Sequence, residues 1–192
     1  MKQSTGKTKN NIAVFISGRG SNFRSLIKYS KLKKSKFKIK LVVSSKKEAK
    51  GLLYAKKNNI NYFVSNYKIK KNPEKKILLL LKKEKIKIIC LAGYMKILSS
   101  NFINRFKGKI LNIHPSLLPK YKGLNTHEKA INNRDKYSGF TIHIVNKKLD
   151  SGKIVFQKKI KISNHDNAKL LENKIRKQEN KYYPVILDKF IN

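Results

Sequence analysis

Three polar residues have side chains that together could transfer an acyl group to an amine. Asn112 and His114 stand two positions apart, and Asp150 follows much later in a Leu-Asp-Ser-Gly turn. An amide can donate a hydrogen bond to a developing oxyanion, and an imidazole can move protons near neutral pH. A carboxylate can orient that imidazole and keep it protonated. This chemistry requires a fold that brings Asp150 back to His114.

A glycine-containing segment near the start of the chain, Gly18 to Asn22, could bind a phosphate. The free amides of a helix start attract anions, Gly20 would allow close approach, and Ser21 and Asn22 offer further donors. The segment lacks the third glycine of a dinucleotide fingerprint and the Gly-Lys-Ser/Thr of a P-loop. A plain tight turn between a strand and a helix is the alternative interpretation.

The chain alternates between patterns typical of strands and of helices. Apolar or alternating runs predict strands at 11–16, 37–43, 61–64, 86–92, 109–113, 139–145 and 154–162. Helical periodicity predicts a helix beginning near residue 23 and others at 46–58, 73–85, 100–106, 126–133 and 166–190, the last bent at Pro184. This order predicts an α/β fold with an open, mostly parallel, twisted sheet and helices on both faces.

Three polar or glycine-rich segments follow predicted strands and would meet at one edge of that sheet. They are the Gly18 turn, the turn from Ala92 to Met95, and the strand end that carries Asn112 and His114. Ligands of such sheets bind beyond the carboxyl ends of the strands. We therefore expect a single site at this edge.

Length and composition predict one domain. The 192 residues, 40% of them hydrophobic, suffice for one core, and we expect a flexible basic extension at 1–10 followed by a single domain at 11–192. The single cysteine, Cys90, excludes an internal disulfide and fits both a reducing compartment and a buried position. The N-terminal residues show no targeting or membrane-spanning pattern, so we expect a cytoplasmic protein without a membrane partner.

The formal net charge of +37 allows two interpretations. One is a nucleic-acid-binding surface. The other is a coding bias, which we favour because lysines occur in nearly every segment, whereas a binding patch would cluster charge and interleave aromatic residues. We therefore expect no specific nucleic-acid partner.

The remaining histidines give weaker signals than His114. His143 alternates within a predicted strand, which favours a structural role, and we assign no role to His127 or His165. Cysteine, histidine and carboxylate residues do not have metal-ligand spacing, so we expect no metal.

The motifs in their order resemble the phosphoribosylglycinamide formyltransferase family, folate-dependent enzymes of purine biosynthesis, over about residues 11–190. The segments that carry the resemblance are Ile16-Ser17-Gly18-x-Gly20-Ser21-Asn22, Leu91-Ala92-Gly93-Tyr94-Met95-Lys96-Ile97-Leu98, Leu111-Asn112-Ile113-His114-Pro115-Ser116-Leu117-Leu118-Pro119-Lys120-Tyr121-x-Gly123-Leu124, Gly139-x-Thr141-Ile142-His143, Leu149-Asp150-x-Gly152 and Gln178-Glu179 before Tyr183-Pro184. The resemblance implies a Rossmann-like formyltransferase fold.

The resemblance also implies roles for individual residues. Asn112, His114 and Asp150 would be catalytic, Gly20, Ser21 and Asn22 would hold the phosphate of glycinamide ribonucleotide, and Glu179 would touch its ribose. The folate site would be formed by Lys70, Met95, Lys96, Ile97, Leu98, Asn112, Asn146, Lys147, Lys148, Leu149 and Asp150. Lys96, Phe140 and Ser151 depart from common family residues, but none belongs to the catalytic trio.

The implied reaction moves a formyl group from 10-formyltetrahydrofolate to the amine of glycinamide ribonucleotide, in de novo purine (IMP) biosynthesis. Asn112 would stabilise the tetrahedral oxyanion, a proton would reach the folate nitrogen through His114 or water, and Asp150 would raise the pKa of His114. The co-substrate would be the folate, without a metal, and the protein would be a monomer or a weak homodimer.

Three other functions are alternatives. Methionyl-tRNA formyltransferase would suit the basic charge, but it needs a further RNA-binding domain and has His-Ala where this chain has His114-Pro115. Formyltetrahydrofolate hydrolase shares the trio but carries an additional regulatory domain. A nucleic-acid-binding protein with a decayed enzyme fold would not need Asn112, His114 and Asp150.

Overall fold

The computed structural model describes residues 9–65 and 73–191. Its elements are β1 Asn10–Ile16, α1 Ser21–Ser30, β2 Phe37–Ser44, α2 Gly51–Lys57, β3 Asn61–Val64, α3 Pro73–Lys83, β4 Ile88–Leu91, α4 Ser100–Arg105, β5 Lys109–His114, α5 Thr126–Asn132, β6 Tyr137–Ile144, β7 Ile154–Lys161 and α6 Ala168–Phe190. The predicted N-terminal extension lies outside these ranges except for Lys9 and Asn10, and Asn10 already belongs to β1.

The described strands form one seven-stranded sheet in the order β3-β2-β1-β4-β5-β6-β7. The first four pairings are parallel, whereas β6 is antiparallel to both β5 and β7. The strand order reverses between β1 and β4, which is the position where sheets of this kind bind ligands. The predicted open, mostly parallel α/β fold is confirmed.

Helices cover both faces of the sheet, as β1 demonstrates. Ile12, Val14 and Ile16 pack in a core with side chains of α1, α2, α5 and α6. The alternating residues Ala13 and Phe15 pack in a second core with side chains of α3 and α4. Burial on both sides explains why β1 is a continuous apolar run rather than an alternating one.

Helix α2 begins at Gly51, so the predicted start at residue 46 is wrong. The Oγ atom of Ser44 accepts a hydrogen bond from the Lys46 amide and donates one to the Lys46 carbonyl, which holds a turn. The Gly51 amide then donates to the Gly18 carbonyl at 3.0 Å. These bonds connect the segment before α2 to the Gly18 turn, and the helix therefore begins only at Gly51.

Strand β4 begins two residues later than predicted, because residues 84–86 close the end of α3. Lys85 has a positive φ of 52°, and the Ile86 amide donates to the Leu81 carbonyl at 2.9 Å. Helix α6 begins at Ala168 instead of residue 166, because the Asn167 side chain caps it by accepting from the Leu170 amide. Pro184 does not interrupt this helix.

No helix within 9–65 or 73–191 combines the length and the apolar character needed to cross a membrane.

Candidate active site

The carboxyl ends of β1, β4 and β5 open onto a cavity of about 1010 Å³. The three segments expected at this edge all line it: the turn around Gly18, the turn from Ala92 to Met95, and the strand end with Asn112 and His114. A second cavity of about 710 Å³ lies beside β3 and α3, and its lining contains none of the predicted site residues. The sheet edge therefore defines the candidate site.

Strand β5 carries Asn112 and His114 into this cavity. Residues two apart on a strand share a face, and both side chains line the cavity. In the antiparallel register Asn112 lies opposite His143, and His114 lies opposite Thr141. The Thr141 hydroxyl donates to the Ser116 carbonyl at 2.6 Å and accepts from the Leu118 amide at 3.0 Å, which fixes the start of the loop after His114.

Asp150 reaches the same point from the turn between β6 and β7. Its backbone has a positive φ of 44°. The turn closes so tightly that a Cβ on Gly152 would lie 1.6 Å from the Ile144 carbonyl oxygen, so only glycine fits there. The Oδ2 atom of Asp150 accepts a hydrogen bond from the Gly123 amide at 2.9 Å. Its Oδ1 atom lies 3.4 Å from the Asn112 amide nitrogen. The structure thus brings the three residues together, and their catalytic roles remain a prediction.

The His114 ring is oriented by partners on two sides. Its Nε2 atom lies 2.9 Å from the Tyr121 carbonyl oxygen, which can only accept, so Nε2 carries a hydrogen. Its Nδ1 atom lies 3.4 Å from Asp150 Oδ2. A proton added at Nδ1 would therefore be shared with the carboxylate, and both ring nitrogens would then donate.

Burial lowers the pKa of His114 below its ordinary value, although the Tyr121 carbonyl and Asp150 act in the opposite direction. The contribution of Asp150 has the predicted sign. Desolvation of the buried ring outweighs this nearby charge, which does not support the expectation that Asp150 keeps the imidazole protonated. The imidazole is therefore neutral at neutral pH.

Asp150 itself is held as a carboxylate. Burial raises its pKa, but the nearby His143 ring, the hydrogen bond donated by the Gly123 amide and the proximity of His114 together outweigh burial and leave the pKa below its ordinary value. The site therefore combines an anionic Asp150 with a neutral His114.

His143 lines the cavity, although its alternation within the strand favours a structural role. The Nδ1–H group of His143 faces the Ile144 carbonyl oxygen at 3.2 Å, which leaves Nε2 to accept from the Asn112 amide nitrogen at 3.1 Å. The signal that could have revealed it is the antiparallel pairing of β5 and β6, because His143 lies directly opposite Asn112. His143 thus orients the side-chain amide of Asn112 by accepting one of its two hydrogens.

The predicted phosphate-binding residues line the cavity at the start of α1, a part that we call its phosphate end. Gly20 has a positive φ of 74° and precedes α1, and a Cβ there would lie 2.8 Å from the Gly51 Cα atom. The side-chain Nδ2 atom of Asn22 donates to Glu179 Oε2 at 2.9 Å, and both side chains are buried. Burial raises the pKa of Glu179 to about 7. Gly20, Ser21, Asn22 and Glu179 share one wall.

All predicted folate residues that the structure describes line the same cavity. Met95, Ile97 and Leu149 are 63%, 77% and 54% exposed and form an apolar rim. The other predicted folate residues in the lining are Lys96, Leu98, Asn146, Lys147 and Lys148. The Asn146 side chain shapes the turn before Asp150, accepting from the Lys148 amide at 2.9 Å and donating to the Ser151 carbonyl at 3.1 Å. Lys70 lies outside the described residues.

No group of three or more histidine, cysteine, aspartate or glutamate side chains could hold a metal ion in the part of the chain that the structure describes.

Comparison with known proteins identifies the family of this site. A sequence model described as formyl transferase matches residues 10–187. The phosphoribosylglycinamide formyltransferase of Haemophilus influenzae is 42% identical over 182 residues, which are 93% of this chain and 86% of that protein. The chain belongs to the phosphoribosylglycinamide formyltransferase family. It is therefore a formyl transferase enzyme, and the family suggested by the motifs is confirmed.

Solved structures of phosphoribosylglycinamide formyltransferases have the same fold. The Brucella melitensis structure is 40% identical, with a TM-score of 0.89 over 96% of each chain. The Bacillus halodurans structure is 32% identical, with a TM-score of 0.90 over 95% of this chain and 96% of that one. The chain is also 39% identical, over 184 residues, to the human trifunctional purine biosynthetic protein adenosine-3, of which it spans 18%.

Proposed function

We propose that this enzyme transfers a formyl group from 10-formyltetrahydrofolate to the amine of glycinamide ribonucleotide, giving formylglycinamide ribonucleotide in de novo purine biosynthesis. The observation that carries the proposal is the meeting of Asn112, His114 and Asp150 in the cavity of a formyl transferase. The folate is a co-substrate and the reaction uses no metal.

The reaction begins when the substrate amine attacks the formyl carbon. A carbon–nitrogen bond forms, the formyl oxygen becomes an oxyanion, and a proton leaves the amine. The bond between the formyl carbon and the folate nitrogen then breaks, and that nitrogen receives a proton. Each step moves charge onto or off the formyl oxygen, so a fixed hydrogen-bond donor there lowers the barrier.

Asn112 supplies this donor. One hydrogen of its amide is used on His143 Nε2 at 3.1 Å. The other faces Asp150 Oδ1 at 3.4 Å, which is long for a hydrogen bond. That weakly used hydrogen is available to an oxyanion, and the bond to His143 keeps the amide from turning its oxygen towards the same place.

His114 and Asp150 accept and transfer the proton that the substrate amine releases. Neutral His114 has an unprotonated Nδ1 beside the ionised Asp150 carboxylate. The ring can therefore take up the proton released by the amine and pair with the carboxylate as an imidazolium. The proton reaches the folate nitrogen from His114 or through water.

The two substrates bind to different groups of residues in the cavity lining. The phosphate of glycinamide ribonucleotide binds at Gly20, Ser21 and Asn22, where the first amides of α1 favour an anion, and Glu179 accepts from the ribose hydroxyls. The folate lies on the apolar rim of Met95, Ile97 and Leu149. Leu98 is a further apolar contact, and the polar folate contacts are Lys70, Lys96, Asn112, Asn146, Lys147, Lys148 and Asp150.

The wider expectations follow from this function. The partners are small molecules, without a specific nucleic acid or membrane, and the protein is a cytoplasmic monomer or weak homodimer. The single domain, whose first strand begins at Asn10, follows a short basic segment. The dispersal of lysines along the chain supports coding bias as the origin of the charge.

An acceptor panel tests this proposal. The protein is incubated with 10-formyltetrahydrofolate and either glycinamide ribonucleotide, methionyl-tRNA or buffer alone, and folate turnover is followed. Of the three conditions, we expect fast folate turnover only in the one that contains glycinamide ribonucleotide. Preferential turnover with methionyl-tRNA would identify a tRNA formyltransferase, and equal turnover in buffer would identify a hydrolase.

A further inference from the structure

One carboxylate, Glu172, holds three cationic side chains at the phosphate end of the cavity. Its Oε1 atom accepts from Arg19 at 2.7 Å and from Arg176 at 2.6 Å, and its Oε2 atom accepts from Lys169 at 3.1 Å. All four residues line the cavity, together with Gly20 and Ser21. The cluster therefore stands where the substrate phosphate is proposed to bind.

The charge of this cluster matches that of a phosphate monoester. Three cations and one carboxylate leave two uncompensated positive charges, and a phosphate monoester carries close to two negative charges at neutral pH. Guanidinium groups bind carboxylates and phosphates through the same N–H donors. A donor that is engaged by Glu172 is consequently withheld from the phosphate.

We infer that Glu172 is a counter-anion that occupies the Arg19 and Arg176 guanidinium groups in the free enzyme and competes with the substrate phosphate for them. This inference rests on the proposed function, because it takes glycinamide ribonucleotide as the phosphate ester. Glu172 thereby weakens binding of every phosphate at this end, including inorganic phosphate. It acts on binding through the two arginines and takes no part in the chemical step.

A purely structural role for Glu172 leads to the opposite expectation. Glu172 and Arg176 are four residues apart on α6, so the carboxylate could instead hold Arg176 in a position that favours the phosphate. Loss of Glu172 would then weaken phosphate binding, whereas loss of a competing anion strengthens it. The sign of the change separates the two roles.

The first test measures calorimetric binding of inorganic phosphate, together with KM and kcat for glycinamide ribonucleotide, in the wild type and in Glu172→Gln. We expect phosphate to bind at least about threefold more tightly in the variant. KM should fall by a similar factor and kcat should stay within about twofold. Unchanged or weaker phosphate binding in the folded variant overturns the inference.

Glu84→Gln is the matched control for the change in charge. Glu84 lies between α3 and β4, and its carbonyl accepts from Asn11 near the start of β1, at the opposite edge of the sheet from the cavity. The same loss of one negative charge there should leave phosphate binding and KM unchanged. An equal gain in both variants would mean that net charge alone is responsible, which also overturns the inference.

The second test removes Arg19, whose side chain is 64% exposed. Arg19→Gln should weaken phosphate binding only slightly in the wild type, where Glu172 occupies the guanidinium. When Arg19→Gln is combined with Glu172→Gln, most of the increase in phosphate affinity caused by Glu172→Gln should be lost, so the effects of the two substitutions are not additive. Additive effects contradict the inference. Wild-type turnover with glycinamide ribonucleotide is recorded in parallel, and its absence would instead refute the proposed function.

Discussion

The Nδ1 atom of His114 lies 3.4 Å from Oδ2 of Asp150, although His114 ends strand β5 and Asp150 lies in the turn between β6 and β7. The separation exceeds that of an ordinary hydrogen bond, as expected when a neutral ring presents its lone pair to a carboxylate. Because the ring is buried, its pKa lies below the ordinary value despite the carboxylate. The site is thus prepared to accept a proton rather than to hold one.

His114→Ala should lower kcat by roughly 10²-fold or more, the scale for a positioned proton-transfer group. Binding of glycinamide ribonucleotide and of folate should change much less, since the side chain acts on the proton. Steady-state kinetics and calorimetry on the same preparation measure both. Near-normal turnover in the folded variant would refute the assignment.

Asp150→Asn should lower the pKa of His114 further. The carboxylate favours the charged imidazolium, so its removal makes the ring harder to protonate. A ¹⁵N NMR titration of His114 measures the pKa in both proteins. Asp166→Asn serves as the control, because Asp166 pairs with Lys174 instead and should leave the His114 pKa unchanged. An unchanged or higher pKa in Asp150→Asn would mean that Asp150 is not the partner.

Glu179→Gln should remove a pH-dependent part of the stability. The pKa of buried Glu179 is raised from 4.5 to about 7, so its contribution is fully present below the unfolded-state pKa and is lost as the pH rises through about 7. The wild-type free energy of unfolding should fall over this window by up to roughly 3 kcal/mol more than that of the variant. Urea unfolding at pH 4.5, 6 and 7.5 measures the difference. Identical pH profiles would show that the carboxyl is not buried.

Gly20→Ala should lower the free energy of unfolding by roughly 1–3 kcal/mol and weaken binding of glycinamide ribonucleotide more than that of folate. A Cβ at Gly20 would press on the Gly51 backbone from a left-handed conformation. Gly18→Ala is the matched control for stability, because a Cβ there meets nothing within 4 Å. Equal stability of the two variants would contradict this account of the turn.

The sheet and the position of the site could be predicted from sequence because their signals are local. The continuous apolar runs of β1 and β4 require burial on both faces, and the polar residues that follow them then fall at one edge of the sheet. Element boundaries were less predictable. Gly51 begins α2 because the local Ser44–Lys46 bond and the distant contact with Gly18 together hold the preceding residues in a turn, and the second of these cannot be seen in the local sequence.

The electrostatics of the site could not be predicted in the same way. The pKa of His114 depends on how deeply the ring is buried, which the sequence does not report, and burial reversed the expected direction. The contact between His143 and Asn112 depends on the register of β5 and β6. The grouping of Arg19, Glu172 and Arg176 similarly requires α1 and α6 to lie side by side.

The most direct test of the proposed function follows the formyl group itself. Glycinamide ribonucleotide and 10-formyltetrahydrofolate labelled with ¹³C in the formyl group are mixed with the wild type and with Asn112→Ala, and the products are measured by mass spectrometry. We predict labelled formylglycinamide ribonucleotide in equal amount to the tetrahydrofolate released, formed about 10²-fold more slowly by the variant through loss of the oxyanion donor. Release of labelled formate without labelled ribonucleotide, or an undiminished rate in Asn112→Ala, would contradict the account.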